Sequence, residues 1–149
     1  MPHLRLHVPE EMLREDYRRQ TGFDAKKLLD HLVEVVAGLR MPSASNPSEM
    51  VPFINKSNLK HAIIPLYYAQ MAGDPEKRFL HVTLAAGNDT PGRTAAVRLT
   101  VSQTLGDEID QFVASVPNIG SITVWVQDID RDRGYSTMQE RRKKRESRS

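Results

Sequence analysis

Two segments with apolar residues at helical spacing are each flanked by short strand-like runs, and this doubled pattern leaves few folds open. In the first, Leu28, Leu29, Leu32, Val33, Val35, Val36 and Leu39 keep a broad apolar face up to Arg40, behind Asp24 as the expected N-cap. In the second, from about residue 93 to 115, Val97, Val101, Leu105, Ile109, Phe112 and Val113 recur at the same spacing, with Gly106 as the weak point. Ahead of the first helix, Leu4, Leu6 and Val8 alternate with His3, Arg5 and His7, the period of two of a half-buried strand. A second strand is expected within 59–72, where Pro65 points to a sheet edge or a bulge. A third covers 79–85, and a fourth is built on Ile122, Val124 and Val126. Residues 9–22 read as a short helical turn over a loop, and 41–58, with Pro42, Pro47 and Pro52, as a long loop.

The order is β-α-β followed by β-α-β. Each long helix then lies between strands that can be parallel neighbours through a right-handed crossover. The fold class expected is α+β: a doubled β-α-β unit whose four-stranded sheet carries two helices on one face. No third major helix is available for the other face, whether it bears Leu4, Leu6 and Val8 or their alternates, so oligomerisation is the economical way to cover it.

At 149 residues, one domain is expected over 1–130. Residues 131–149 differ in kind: eight Lys/Arg against three Asp/Glu and almost no aliphatic side chains, which reads as a basic, mobile tail. The preceding residues hold 13 basic and 16 acidic groups, so the positive character belongs to the tail. Nucleic acid is therefore not expected as a ligand of the body, and only weakly through the tail. The sequence has no cysteine, which removes disulfides, thiolate zinc sites and a Cys nucleophile. No apolar stretch approaches the ~20 residues of a membrane span and the N-terminus has no apolar signal core, so a cytoplasmic protein without membrane contact is expected.

Pro2 is the residue with the most distinctive chemistry. Removal of Met1 would leave a prolyl secondary amine at the head of a strand. Burial beside cations lowers an ammonium pKa, so such an amine can act as a base near neutral pH. The five histidines, His3, His7, His31, His61 and His81, show no ligand spacing of the zinc type, and no metal is expected. No Gly-x-Ser-x-Gly elbow occurs, and 87–92 lacks the Gly-Lys-Ser/Thr ending of a phosphate loop.

Met1-Pro2-His3 at the start, Gln70-Met71-Ala72 after the second strand, Phe79-Leu80-His81-Val82-Thr83-Leu84 as the third, and Gly92-Arg93 with Arg98 at the second helix occur in a telling order. In these segments the chain resembles the tautomerase superfamily, and within it the branch of 5-carboxymethyl-2-hydroxymuconate isomerase. The resemblance spans about 100 residues in pieces; it is weak over 9–58 and absent from the tail. It implies a cofactor-free isomerase of the kind used in aromatic degradation, acting on a small unsaturated keto or hydroxy carboxylate. It also implies a homotrimer, with Pro2 as the general base. By the same resemblance Arg93, at a helix start, is either the carboxylate clamp or a solvated first-turn arginine. Lys60 stands near where the branch carries arginines; the reading here is Leu59-Lys60-His61-Ala62, so those arginines are not reproduced and the substrate is left open. Arg5 is placed at the site or on the surface. Trp125, with Tyr67 and Tyr68, is either packing or an apolar wall beside the amine. Two further readings are a member that keeps the fold without efficient catalysis and a chain whose basic tail acts as an RNA- or acidic-surface-binding arm.

Overall fold

The computed structural model describes residues 2–87, 92–129 and 138–148. Strand β1 (His3–Pro9) leads through a 3-10 turn (Glu10–Leu13) into a short helix α1 (Glu15–Thr21). Gly22, at φ 77°, ends α1 in the left-handed conformation that glycine adopts without a Cβ clash. Helix α2 (Ala25–Gly38) begins as expected, with Asp24 Oδ1 accepting the Lys27 N–H at 3.2 Å. Its apolar stripe, Leu28, Leu29, Leu32, Val33 and Val36, is buried. Strands β4 (Lys60–Leu66) and β5 (Arg78–Gly87), helix α3 (Ala95–Phe112, capped by Thr94) and strand β6 (Ile119–Ile129) follow.

The sheet order is β4-β1-β5-β6. β1 runs parallel to β4 and β5 parallel to β6, while β1 and β5 are antiparallel at the centre, so the two β-α-β units meet side by side. Pro65 lies on the edge strand β4, where a missing N–H costs no ladder bond. Leu4, Leu6 and Val8 of β1 and Leu80, Val82 and Leu84 of β5 are fully buried and belong to one core cluster with the inner stripes of α2 and α3. Among the described residues no helix is long and apolar enough to cross a membrane.

The structure corrects or adds to the expectations in three places. The segment 41–58 is not an unstructured loop: β2 (Arg40–Pro42) and β3 (Met50–Pro52) form an antiparallel hairpin, followed by a 3-10 turn (Lys56–Asn58). What holds it is apolar anchorage, since Met41, Phe53 and Ile54 are each buried into the core. Within the basic tail, Met138–Glu146 forms a helix, α4, which the composition did not signal. Finally, the sheet face left without helices is mixed and not uniformly apolar: Leu4, Leu6, Val8, Leu80, Val82 and Leu84 point the other way, and His3, Arg5, His7 and His81 share the open face with Phe79, Ile64 and Trp125. The expected loop at 87–92 falls largely outside the described residues.

Candidate functional site

Pro2 is buried at the head of β1, an interior strand, and its carbonyl accepts the Lys60 N–H at 3.0 Å. Because β1 and β4 are parallel, the start of β4 lies beside it; because β5 is antiparallel, the C-terminal end of β5 lies on its other side. The cross-strand registers arrange the open face in three rows. Lys60, His3, Ala85 and Gln127 form the row nearest Pro2; Ala62, Arg5, Thr83 and Trp125 form the next; Ile64, His7, His81 and Thr123 form the third. The strand positions on this face carry two fixed cations and three imidazoles and no carboxylate.

The local field is correspondingly positive. Burial first, and then the positive charges of Arg5 and Lys60, hold the His3 imidazole below its ordinary pKa. Burial again leads for His7, followed by the facing His81 and by Arg5. The His7 and His81 rings are 5.3 Å apart between centroids, and His81 Nδ1 is 2.5 Å from Thr123 Oγ1. A strand-end ammonium beside His3, Arg5 and Lys60 would be disfavoured by the same field. The structure thus brings Pro2, Lys60 and Arg5 to one corner of the sheet. Trp125 shares the face, 60% exposed, but stands two strands across from Arg5, about 10 Å at the usual strand spacing.

Arg93 occupies a different position. Its Nε and Nη2 donate to the Phe53 carbonyl at 3.0 and 2.8 Å, and its Nη1 donates to the Gly87 carbonyl at 2.8 Å. The guanidinium carbon also lies 5.3 Å from the centre of the Phe53 ring. The planar fork therefore ties the end of β5, the segment after the β2–β3 hairpin and the approach to α3 into one unit. Gly92 completes the joint: at φ 97°, a Cβ there would come within 3.0 Å of the Pro42 carbonyl oxygen. Arg98 secures the first turn of α3, donating to the Arg93 carbonyl at 2.7 Å and pairing with Asp128 of β6 at 2.8 Å. Phe53 was not anticipated as part of this corner; an aromatic residue inside a Ser/Asn/Pro-rich stretch was the available signal.

Tyr67 and Tyr68 cannot line the same corner of one subunit. They follow the C-terminal end of β4, whose last residue pairs with Pro9, whereas Pro2 is at the opposite end of the parallel pair. Seven strand residues, about 20 Å, separate the two ends. Both tyrosines are highly exposed and sit beside a cavity of about 220 Å³ that Arg14 and Arg78 also line. Among the described residues, no group of three His, Asp or Glu side chains is placed to hold a metal ion.

This doubled β-α-β architecture is the tautomerase fold. A solved 5-carboxymethyl-2-hydroxymuconate delta-isomerase superposes with a TM-score of 0.64 at 14% identity, over 92% of this chain and 87% of that one. The 5-carboxymethyl-2-hydroxymuconate isomerase from Deinococcus radiodurans R1 gives 0.62 at 16% identity, over 91% and 88%. A fused 4-OT symmetric trimer gives 0.54 at 13% identity, over 91% and 92%. At such identities the likeness is one of fold. No protein-family model matches the sequence, and no curated protein matches it either.

Proposed function

We propose that this protein is a cofactor-independent tautomerase or isomerase that moves a proton within a small unsaturated keto or hydroxy carboxylic acid. The observation that carries the reading is the buried position of Pro2 at the head of an interior strand, with Lys60, Arg5 and His3 on the adjoining face. With Met1 removed, the prolyl nitrogen takes a proton from the enol hydroxyl or from a carbon next to the carbonyl. It becomes a secondary ammonium and returns the same proton at another carbon of the conjugated system, so no atom or electron is gained or lost. The cations serve twice: they keep the resting amine neutral, and they bind the substrate carboxylate. Lys60 does so as a point charge and Arg5 as a planar fork.

The protein is further proposed to be a homotrimer, about three times the 16.9 kDa chain mass. The fold it shares with a symmetric trimer supports this, and so does an open sheet face that carries no helix among the described residues, with Trp125 60% exposed on it. In such an assembly Trp125 and the tyrosines of a neighbouring copy are the candidates to desolvate the amine.

The test combines intact-mass analysis of the N-terminus with a ketonisation assay on phenylenolpyruvate. Pro2→Ala is expected to lower kcat by about 10² or more, the usual scale for losing an acid–base group. Unchanged turnover in that variant would remove Pro2 from the mechanism. A second reading, a tautomerase-fold protein that binds or assembles without catalysis, is favoured by one observation: the Arg93 fork is turned onto main-chain carbonyls. A processed N-terminus without measurable turnover on any enol acid would establish it.

A further inference from the structure

Helix α4 carries Arg141, Arg142, Lys143, Lys144 and Arg145 in succession, all exposed, and Arg148 follows just beyond it. At 3.6 residues per turn, five successive positions pass completely round a helix, so the charge forms a sleeve and not a stripe. Met138 is the sole apolar residue between 138 and 148. The helix therefore has no apolar face to lay into a bilayer or into a hydrophobic groove. Favourable interaction with the helix dipole accounts for Lys143, Lys144 and Arg145 in the last turn, but not for Arg142 before it or Arg148 after it. Residues 1–130 are net acidic, with 13 basic against 16 acidic groups.

We propose that α4 is a nucleic-acid-binding arm that docks, without sequence preference, in the major groove of double-stranded DNA. The argument is one of shape. The acidic surface of a globular partner meets one side of a helix and leaves much of a charged sleeve unpaired. A groove about 12 Å wide between two phosphate backbones meets opposite sides at once. The nine residues of α4 span roughly 13 Å at 1.5 Å per residue, which suits one crossing of that groove. The major groove of A-form RNA is too narrow to admit such a helix. Four of the six cations are arginines, whose forks pair with phosphate oxygens in two parallel hydrogen bonds. This arm is independent of the reading given to the Pro2 corner.

Fluorescence anisotropy of the full chain with a labelled 20-base-pair duplex of arbitrary sequence tests it. With six cations engaged, the slope of log K against log salt is expected near −5, a loss of about 10³ between 50 and 200 mM NaCl. Replacing residues 141–145 together by glutamine should abolish binding, while circular dichroism and thermal unfolding of the sheet domain stay as before. Duplex RNA is expected to bind at least tenfold more weakly. The proposal is overturned by absence of duplex binding at 50 mM salt, or by undiminished binding in the glutamine variant. Equal affinity for duplex RNA, for polyglutamate or for anionic phosphatidylserine vesicles would overturn it as well.

Discussion

The two faces of the four-stranded sheet are built from alternate residues of the same strands, yet they obey different rules. On the helix-covered face, Leu4, Leu6, Val8, Leu80, Val82 and Leu84 are each wholly removed from water. Size and apolarity are what that face requires, and no polar side chain is buried there. The open face carries His3, Arg5, His7, Lys60 and His81 with no opposing carboxylate. Folding does not ask for that arrangement. Like charges on neighbouring strands are mildly unfavourable, and a face exposed to water tolerates either sign. On the function proposed above, this one-signed cluster near Pro2 is there to meet the substrate carboxylate, whereas the covered face serves the stability of the chain.

Substitutions on adjacent residues of β1 test that division. Leu6→Ala should cost about 2–5 kcal/mol in denaturant unfolding, the range for truncating a fully packed leucine. Arg5→Ala, next in sequence and exposed, should change stability by no more than about 0.5 kcal/mol while weakening kcat/KM for a carboxylate substrate. Comparable destabilisation by the two would mean that the open face is as structural as the covered one.

Arg93 sharpens the comparison because it belongs to neither face. Arg93→Lys keeps the charge but loses the fork that spans two carbonyls, so a loss of about 1.5–3 kcal/mol in unfolding free energy is expected. Its effect on turnover should be similar for acid and neutral enols. A selective loss of acid substrates, with stability intact, would instead make Arg93 the carboxylate clamp.

Much of the architecture was legible because it rests on local rules. The alternation in β1, the Asp24 cap, the two helical stripes and the edge position implied by Pro65 all follow from periodicity or from a missing N–H, and all recur in the structure. The β2–β3 hairpin was not legible, since three-residue strands that each end in proline give no periodic signal. Helix α4 was hidden for the opposite reason: with charge all round, it has no stripe to count. At the candidate site, the positions of Pro2, His3 and Arg5 at the start of β1 followed from a strand that could be counted. The sequence could not show that Arg93 faces Phe53 and Gly87, because Phe53 and Arg93 are forty residues apart and join through backbone carbonyls, which every residue possesses. Nor could composition tell which set of β1 alternates would meet the helices.

The smallest expected effect concerns acid. Both His3 and His7 titrate below the ordinary 6.5 in the folded chain, chiefly through burial and then through neighbouring positive groups. Between those lowered values and 6.5, the unfolded chain binds more protons than the folded one, so stability rises with pH across that window. The contribution is complete above pH 6.5 and is lost as pH falls through the folded pKa values. The groups facing these rings are Arg5, Lys60 and His81, and no strand position on that face offers a carboxylate to reverse the sign. Because both rings remain partly solvated, the slope should be shallow. Urea midpoints measured from pH 8 to pH 5 should therefore decline gently, and the double substitution His3→Gln, His7→Gln should flatten the curve over that range. Carboxylate protonation contributes mainly below about pH 5 and can be separated on that basis. A midpoint that rises toward pH 5 would mean that an acidic group, supplied by another copy of the chain, meets the imidazoles across the open face.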